Sequence, residues 1–92
     1  MAKAVVTLKI MPDKVEADFE SLTKDCLEKV SDFAGEGQTK TEVEPVAFGL
    51  KALKIIFVMD EELGSPDKVA SVIEEMDGVM SCETIDVRRA IG

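Results

Sequence analysis

The 92-residue chain contains no histidine, tryptophan, tyrosine or asparagine, and it has only two cysteines. Without histidine, the chain lacks the side chain that most often exchanges a proton near neutral pH. Cys26 and Cys82 lie far apart, belong to no Cys-x-x-Cys motif, and have no histidine to activate their thiols. These absences exclude a cysteine protease, a Cys/His zinc site and a Ser-His-Asp hydrolase, so an enzyme is the less favoured class.

Acidic residues outnumber basic ones by 19 to 11, which gives a net charge of −8. Because phosphates and anionic lipids attract basic surfaces, this charge disfavours nucleic acid and membranes as the main partner. Nothing at the N-terminus resembles a signal peptide, and no apolar run approaches the ~20 residues that cross a bilayer. We expect a single domain over residues 1–92, located in the cytoplasm, with no cofactor and no metal.

The first half of the chain has the pattern of a strand followed by a helix. Apolar and polar residues alternate over 4–11, which predicts a half-buried strand. We expect Pro12 to end this strand, Asp13 to cap a helix of about five turns, and Gly35 and Gly37 to end that helix. Cys26 lies on the apolar stripe as a small buried hydrophobe. The stripe comprises Val15, Phe19, Leu22, Cys26, Leu27, Val30 and Phe33.

Two strands of different character follow. Residues 38–46 alternate but are polar, and Pro45 near their end predicts an edge strand. Residues 50–59 are much more apolar, with Leu53, Ile55, Phe57 and Met59 on one face, and they predict a central strand. The acidic residues at 60–62 lack the ligand alternation of a calcium loop and indicate a solvated turn.

A second helix and a last strand complete the chain. Ser65 is the expected N-cap and Gly78 the expected C-cap of the helix. Its stripe comprises Val69, Val72, Ile73 and Met76. In the final segment Ile85 and Val87 share one phase, whereas Cys82 and Thr84 share the other. Either pair faces the core, or a β-bulge switches the two, and the sequence leaves these alternatives open.

The element order β-α-β-β-α-β predicts an α+β fold of the ferredoxin-like class. Right-handed crossovers in both halves give a four-stranded antiparallel sheet of order 4-1-3-2 with both helices on one face. The other sheet face then carries Val5, Ile56 and Val58. These three residues form either an apolar contact surface or ordinary scattered exposure.

Two features fall outside the predicted core. Phe48 lies on the turn between the two middle strands, where a rigid aromatic is typical of a binding anchor, unless it folds back over a helix end. Arg88 and Arg89 are the only arginines, and they either meet a partner or pair with acidic neighbours. The topology places Phe48 and the arginines at opposite ends of the sheet. A partner that touches both is therefore larger than this domain, and we expect it to have several domains.

The segments "EPVAFGLKALKIIFVMDEE" at 44–62 and "IDVRRAIG" at 85–92, with "VVTLKIMP" near the N-terminus, resemble the archaeal elongation factor 1-beta family. The resemblance covers essentially the whole chain. Its most specific part is "PVAFGLKAL", which is similar to a Pro-Val/Ile-Gly-Phe/Tyr-Gly-Ile-Lys-Lys-Leu block in eukaryotic exchange domains. It implies the ferredoxin-like fold and a guanine nucleotide exchange factor for elongation factor 1-alpha, with no covalent chemistry.

The resemblance also implies which residues contact the GTPase. The aromatic docking residue of the family block corresponds to Phe48, and the flanking Gly49 and Lys51 correspond as well. A family lysine that reaches toward the magnesium and switch region falls on Gly92, so this chain lacks it. Arg88 or Arg89 is then the expected source of that charge. No direct nucleic-acid or membrane partner is implied, and we expect a monomer in the absence of the GTPase.

The competing class is a small-molecule-binding regulatory domain, because the same fold hosts many functions. An acylphosphatase-like activity needs an asparagine and a metal carrier needs Cys-x-x-Cys, and the sequence has neither. A regulatory domain of this fold is normally fused to another domain or oligomeric. Acceleration of GDP release from the cognate GTPase would separate the two classes.

Overall fold

A computed structural model describes residues 3–14, 18–35 and 37–90. Four strands and two helices alternate in the predicted order, and a short 3-10 turn lies on either side of the third strand. The elements are β1 (Lys3–Pro12), α1 (Phe19–Ala34), β2 (Thr39–Pro45), the turn Ala47–Gly49, β3 (Lys51–Asp60), the turn Glu61–Leu63, α2 (Asp67–Glu74) and β4 (Val79–Ala90).

The four strands form one antiparallel sheet in the order β2-β3-β1-β4. Strands β1 and β3 are central, and they pair with Val6 opposite Phe57 and Leu8 opposite Ile55. Both helices pack on the face that carries these residues. The ferredoxin-like prediction is therefore confirmed, as are the edge position of β2 and the central position of β3.

The core lies between the helices and that one sheet face. No polar or charged residue among the described part of the chain is buried. Cys26 of α1 is fully buried, and burial raises the pKa of its thiol to about 11. Burial likewise raises the pKa of Cys82 to about 12, and both thiols are free. Cys26 is thus the inert core residue that the stripe predicts.

Helix α1 begins later than the sequence pattern indicates, so the expected cap at Asp13 is wrong. Pro12 still pairs with β4, and the Asp13 amide donates to the Gly78 carbonyl at 2.9 Å, which ties this segment to the sheet. Asp18 is the N-cap instead, since its carboxylate accepts hydrogen bonds from the amides of Glu20 and Ser21, each at 3.2 Å. Val15, on the expected stripe, lies outside the described residues.

Helix α2 is shorter than expected. The Ser65 hydroxyl accepts from the Asp67 amide at 3.1 Å, which confirms its capping role. The helix ends at Glu74, however, so Gly78 is not its C-cap. Gly78 instead takes a φ of 87° in the turn that leads into β4. Val72 lies within α2 but is exposed, against the stripe prediction.

A β-bulge resolves the conflicting phases of the last strand. Leu8 pairs with Thr84 and Thr7 pairs with Asp86, so Ile85 is the extra residue. Before the bulge, Cys82 and Thr84 face the helices. Beyond it the phase switches, which places Arg89 on the helix face and Arg88 on the open face.

Candidate partner-binding site

Phe48 occupies the tip of the β2–β3 hairpin in an unusual backbone conformation. Its φ is 60° and its ψ is 34°, and Gly49 follows with a φ of 75°. The Leu50 amide donates to the Ala47 carbonyl at 3.2 Å and closes the turn. Two successive positive φ values define a type I′ turn, whose first central position favours asparagine or glycine. A phenylalanine there is strained, and such strain is concentrated at functional positions.

Phe48 is 96% exposed, the highest value among the exposed large hydrophobic residues of the described chain. The alternative that it folds back over a helix end is therefore wrong. The residue combines a strained backbone with an unburied ring, and neither stabilises the free domain. This combination fits an aromatic residue that binds elsewhere.

An ion pair stiffens the hairpin that carries this turn. Glu44 Oε2 and Lys54 Nζ lie 2.6 Å apart across β2 and β3. Their hydrogen bond holds the pKa of Glu44 below its usual value and raises the pKa of Lys54. Lys51 pairs with Pro45 directly beneath the turn and is exposed. The predicted site residues Phe48, Gly49 and Lys51 thus lie together at one accessible tip.

Both arginines at the other end are held by carboxylates of the same chain. Arg88 donates from Nε to Asp86 at 2.9 Å, and Arg89 donates from Nε to Glu61 at 2.7 Å. The hydrogen bond with Glu61 also raises the pKa of Arg89. The alternative of pairing with acidic neighbours is correct for both. Nevertheless, their side chains remain 79% and 76% exposed, so a partner can reach both guanidinium groups.

The two groups lie at opposite ends of the sheet, as the topology predicts. The turn adjoins the start of β3, which pairs with the end of β1 near Ile10. The arginines pair with Val5 and Ala4 near the start of β1. A ten-residue strand spans roughly 30 Å, and the longest dimension of the molecule is 41 Å. Gly92, where the family lysine falls, lies outside the described residues.

The open sheet face separates these two ends. Its Val5, Ile56 and Val58 are half-buried and line a shallow groove with Thr39 and Lys40 of β2. Val5 pairs directly with Val58, so these apolar residues are adjacent on this face, although none is among the most exposed large hydrophobic residues.

The acidic segment after β3 forms a compact turn. Asp60 Oδ1 accepts a hydrogen bond from the Glu62 amide at 3.0 Å. Within the described residues, no group of acidic or cysteine side chains is arranged to hold a metal ion. No helix in that part of the chain is long and apolar enough to cross a membrane.

Sequence reasoning missed Glu61 as the partner of Arg89. The strand order gave a usable signal, because it brings the end of β3 level with the end of β4.

Comparison with protein-family models matches residues 5–90 to the EF-1 guanine nucleotide exchange domain. Because this match covers nearly the whole chain, the protein belongs to that family of exchange domains. The family resemblance found in the sequence is thereby confirmed.

Among its relatives, the chain is 34% identical to elongation factor 1-beta of Methanocorpusculum labreanum, over 99% of this chain and 100% of the relative. It is 36% identical to elongation factor 1-beta of Methanobrevibacter smithii, over 97% of this chain and 98% of the relative. It is 33% identical to elongation factor 1-beta of Aeropyrum pernix, over 97% of this chain and 98% of the relative. A solved de novo designed protein, Foldit4, covers 98% of both chains with a TM-score of 0.65 and 19% identity, and this likeness concerns the fold alone.

Proposed function

We propose that residues 1–92 form a single domain that promotes exchange of GDP for GTP on elongation factor 1-alpha during translation elongation in the cytoplasm. Membership of the exchange-domain family and relatives named elongation factor 1-beta support this function. The observation that carries it is Phe48. An aromatic ring that is 96% exposed on a strained turn stands where the resemblance puts the docking residue.

Exchange of this kind is a coupling between two binding events and requires no covalent step. A protein that binds the empty GTPase more tightly than the GDP-bound form must weaken GDP binding by the same factor. The absence of histidine and asparagine is no obstacle to such a mechanism. A domain with net charge −8 also has little general attraction for phosphates. Its positive side chains therefore interact with phosphates only where the docked complex brings them close.

The two ends of the sheet then have separate roles. Phe48 docks on the GTPase, Gly49 permits the turn that presents the ring, and Lys51 lies beside it. Arg88 or Arg89 approaches the magnesium and phosphate site, where added positive charge disturbs the ligands of Mg²⁺ and loosens the β-phosphate. In this proposal one partner contacts both ends of the sheet.

The test is the release of a fluorescent GDP analogue from the cognate elongation factor 1-alpha, with unlabelled nucleotide in excess. We expect the release rate to rise with the concentration of this protein and to reach a plateau. An unrelated acidic protein of similar size serves as the control for nonspecific effects. A release rate that stays at its spontaneous value over the whole concentration range would rule out the proposed function.

A further inference from the structure

We propose that Glu61 is a positioning residue for exchange. Through its ion pair with Arg89 it fixes the C-terminal end of β4, and this leaves Arg88 as the arginine that meets the GTPase. The inference rests on the proposed function and divides the roles of the two arginines.

The pair ties together the ends of two strands that are not neighbours. Glu61 follows β3, Arg89 lies in β4, and their Oε1 and Nε atoms are 2.7 Å apart. Strand β1 runs between them, with Ala4 paired to Met59 on one side and to Arg89 on the other. Ala4 is small and buried, so it leaves room for the arginine to cross β1 on the helix face.

The carboxylate of this pair is held in place by its own surroundings. Glu61 begins a 3-10 turn in which the Gly64 amide donates to the Glu61 carbonyl at 3.2 Å. Asp60 caps the same turn, and the Glu61 side chain is only 32% exposed. Because the carboxylate is the better fixed partner, it orients Arg89 rather than the reverse.

Arg88, unlike Arg89, is paired with a carboxylate of its own strand. Its partner, Asp86, lies two residues away on the same strand and is 45% exposed. A contact within one strand moves with that strand and ties it to nothing else. It also lies on the open face, which no helix covers. Arg88 is therefore free to exchange Asp86 for a group of the partner, whereas Arg89 is bound to a second element.

The segment of β4 beyond the bulge depends on such a tie. Helix α2 holds the earlier part, since Asp67 Oδ1 accepts from the Thr84 hydroxyl at 3.2 Å and Glu74 Oε2 accepts from the Cys82 amide at 3.3 Å. Strand β4 is an edge strand paired with β1 alone, and these two helix contacts lie before Ile85. Val87 is 52% exposed, so helix packing contributes little there. The hydrogen bond between Arg89 and Glu61 connects this segment to the turn that follows β3.

The test uses Glu61→Gln, Arg89→Gln and the double variant, with Glu62→Gln as the matched control. Two readouts are taken: GDP release from the cognate GTPase, and amide hydrogen exchange of residues 86–89 in the free protein. We expect both single variants and the double variant to lower the plateau rate of GDP release to the same extent. The half-saturating concentration stays unchanged and the amides of 86–89 exchange faster. Equal losses follow because either substitution removes one charge of the same ion pair. Glu62→Gln behaves as the unchanged protein.

Three results would overturn the inference. A far larger loss of GDP release with Arg89→Gln than with Glu61→Gln means that Arg89 itself contacts the GTPase. Unchanged GDP release with Glu61→Gln means that the tie has no role in exchange, whatever the amides do. If the unchanged protein does not accelerate GDP release, the proposed function and this inference fail together. An active protein with an unaffected Glu61→Gln variant refutes the inference alone.

Discussion

The two ends of the sheet differ in the side chains that they expose and in the structure that holds those side chains. At the hairpin tip, Phe48 is an apolar ring on a left-handed backbone, without a side-chain bond to hold it. At the far end, Arg88 and Arg89 are charged, lie in regular strand, and are each held by a carboxylate. The tip is shaped by its backbone turn, whereas the arginines are held by side-chain contacts.

This difference indicates a division of labour. A preset aromatic anchor loses little conformational entropy on binding, and it therefore contributes mainly to affinity. Charged groups that are paired within the chain must exchange that partner for one on the GTPase. They therefore contribute little to the binding free energy unless the GTPase presents a matching opposite charge. We therefore propose that the tip serves docking and that the arginine end changes the nucleotide affinity.

The largest expected effect is the loss of the ring. Phe48→Ala should weaken binding to the nucleotide-free GTPase by about 2 kcal/mol or more, roughly 30-fold, because a central aromatic anchor is removed. Isothermal titration calorimetry measures this affinity. Val43→Ala, which truncates a half-exposed apolar residue on the same hairpin, should leave it unchanged. A lower melting temperature with normal affinity would show instead that Phe48 stabilises the fold.

Removal of the arginine charges should act on the rate instead. The double variant Arg88→Ala/Arg89→Ala should lower the plateau rate of GDP release by about tenfold or more, the effect of losing a charge-assisted hydrogen bond. Stopped-flow fluorescence gives this rate. Lys40→Ala, which removes one exposed cation on β2, serves as the control and should leave the rate unchanged. If release is unaffected by the double variant, the arginine end is not the lever.

Relief of the strained turn should separate stability from binding. Phe48→Asn places a residue that tolerates positive φ at this position, and it should raise the free energy of unfolding by about 0.5–1 kcal/mol. The melting temperature should rise by roughly 2–8 °C while GTPase binding falls as for Phe48→Ala. Calorimetry of the free protein checks the first part. A lower melting temperature would contradict the account of strain at the tip.

The smallest expected effect concerns the ion pair between Glu44 and Lys54 across the hairpin. Glu44→Gln should lower the melting temperature slightly at pH 7, because exposed ion pairs contribute little. The pKa of Glu44 is lower in the folded protein than its ordinary 4.5. Its contribution is therefore complete above that value and is lost as the pH falls through the folded pKa. The difference between variant and unchanged protein should disappear at acid pH, and a constant difference would show another cause.

The sequence predicted the parts of the fold that depend on periodicity. Alternation identified β1 and β3, polarity and Pro45 identified β2 as an edge strand, and a turn between two strands predicted an exposed Phe48. These features are local, and their burial pattern repeats with the strand or helix period. The opposite placement of Phe48 and the arginines then followed from strand order alone.

The remaining features depend on contacts that a single sequence does not display. The N-cap of α1 is Asp18 and not Asp13, whose amide is bonded to the Gly78 carbonyl. The bulge at Ile85 is set by pairing with β1, so it appears in the sequence only as conflicting phases. A positive φ at Phe48 has no propensity signal, since the residue type opposes it. The partner of Arg89 shows no local pattern, because Glu61 is 28 residues away, and only the strand order brings the two residues level.

The concentration dependence of GDP release tests the division of labour most directly. The account predicts that Phe48→Ala raises the half-saturating concentration of this protein and leaves the plateau rate unchanged. It predicts that Arg88→Ala lowers the plateau rate and leaves the half-saturating concentration unchanged. If both variants change the same parameter, or if the unchanged protein never accelerates release, the account is contradicted.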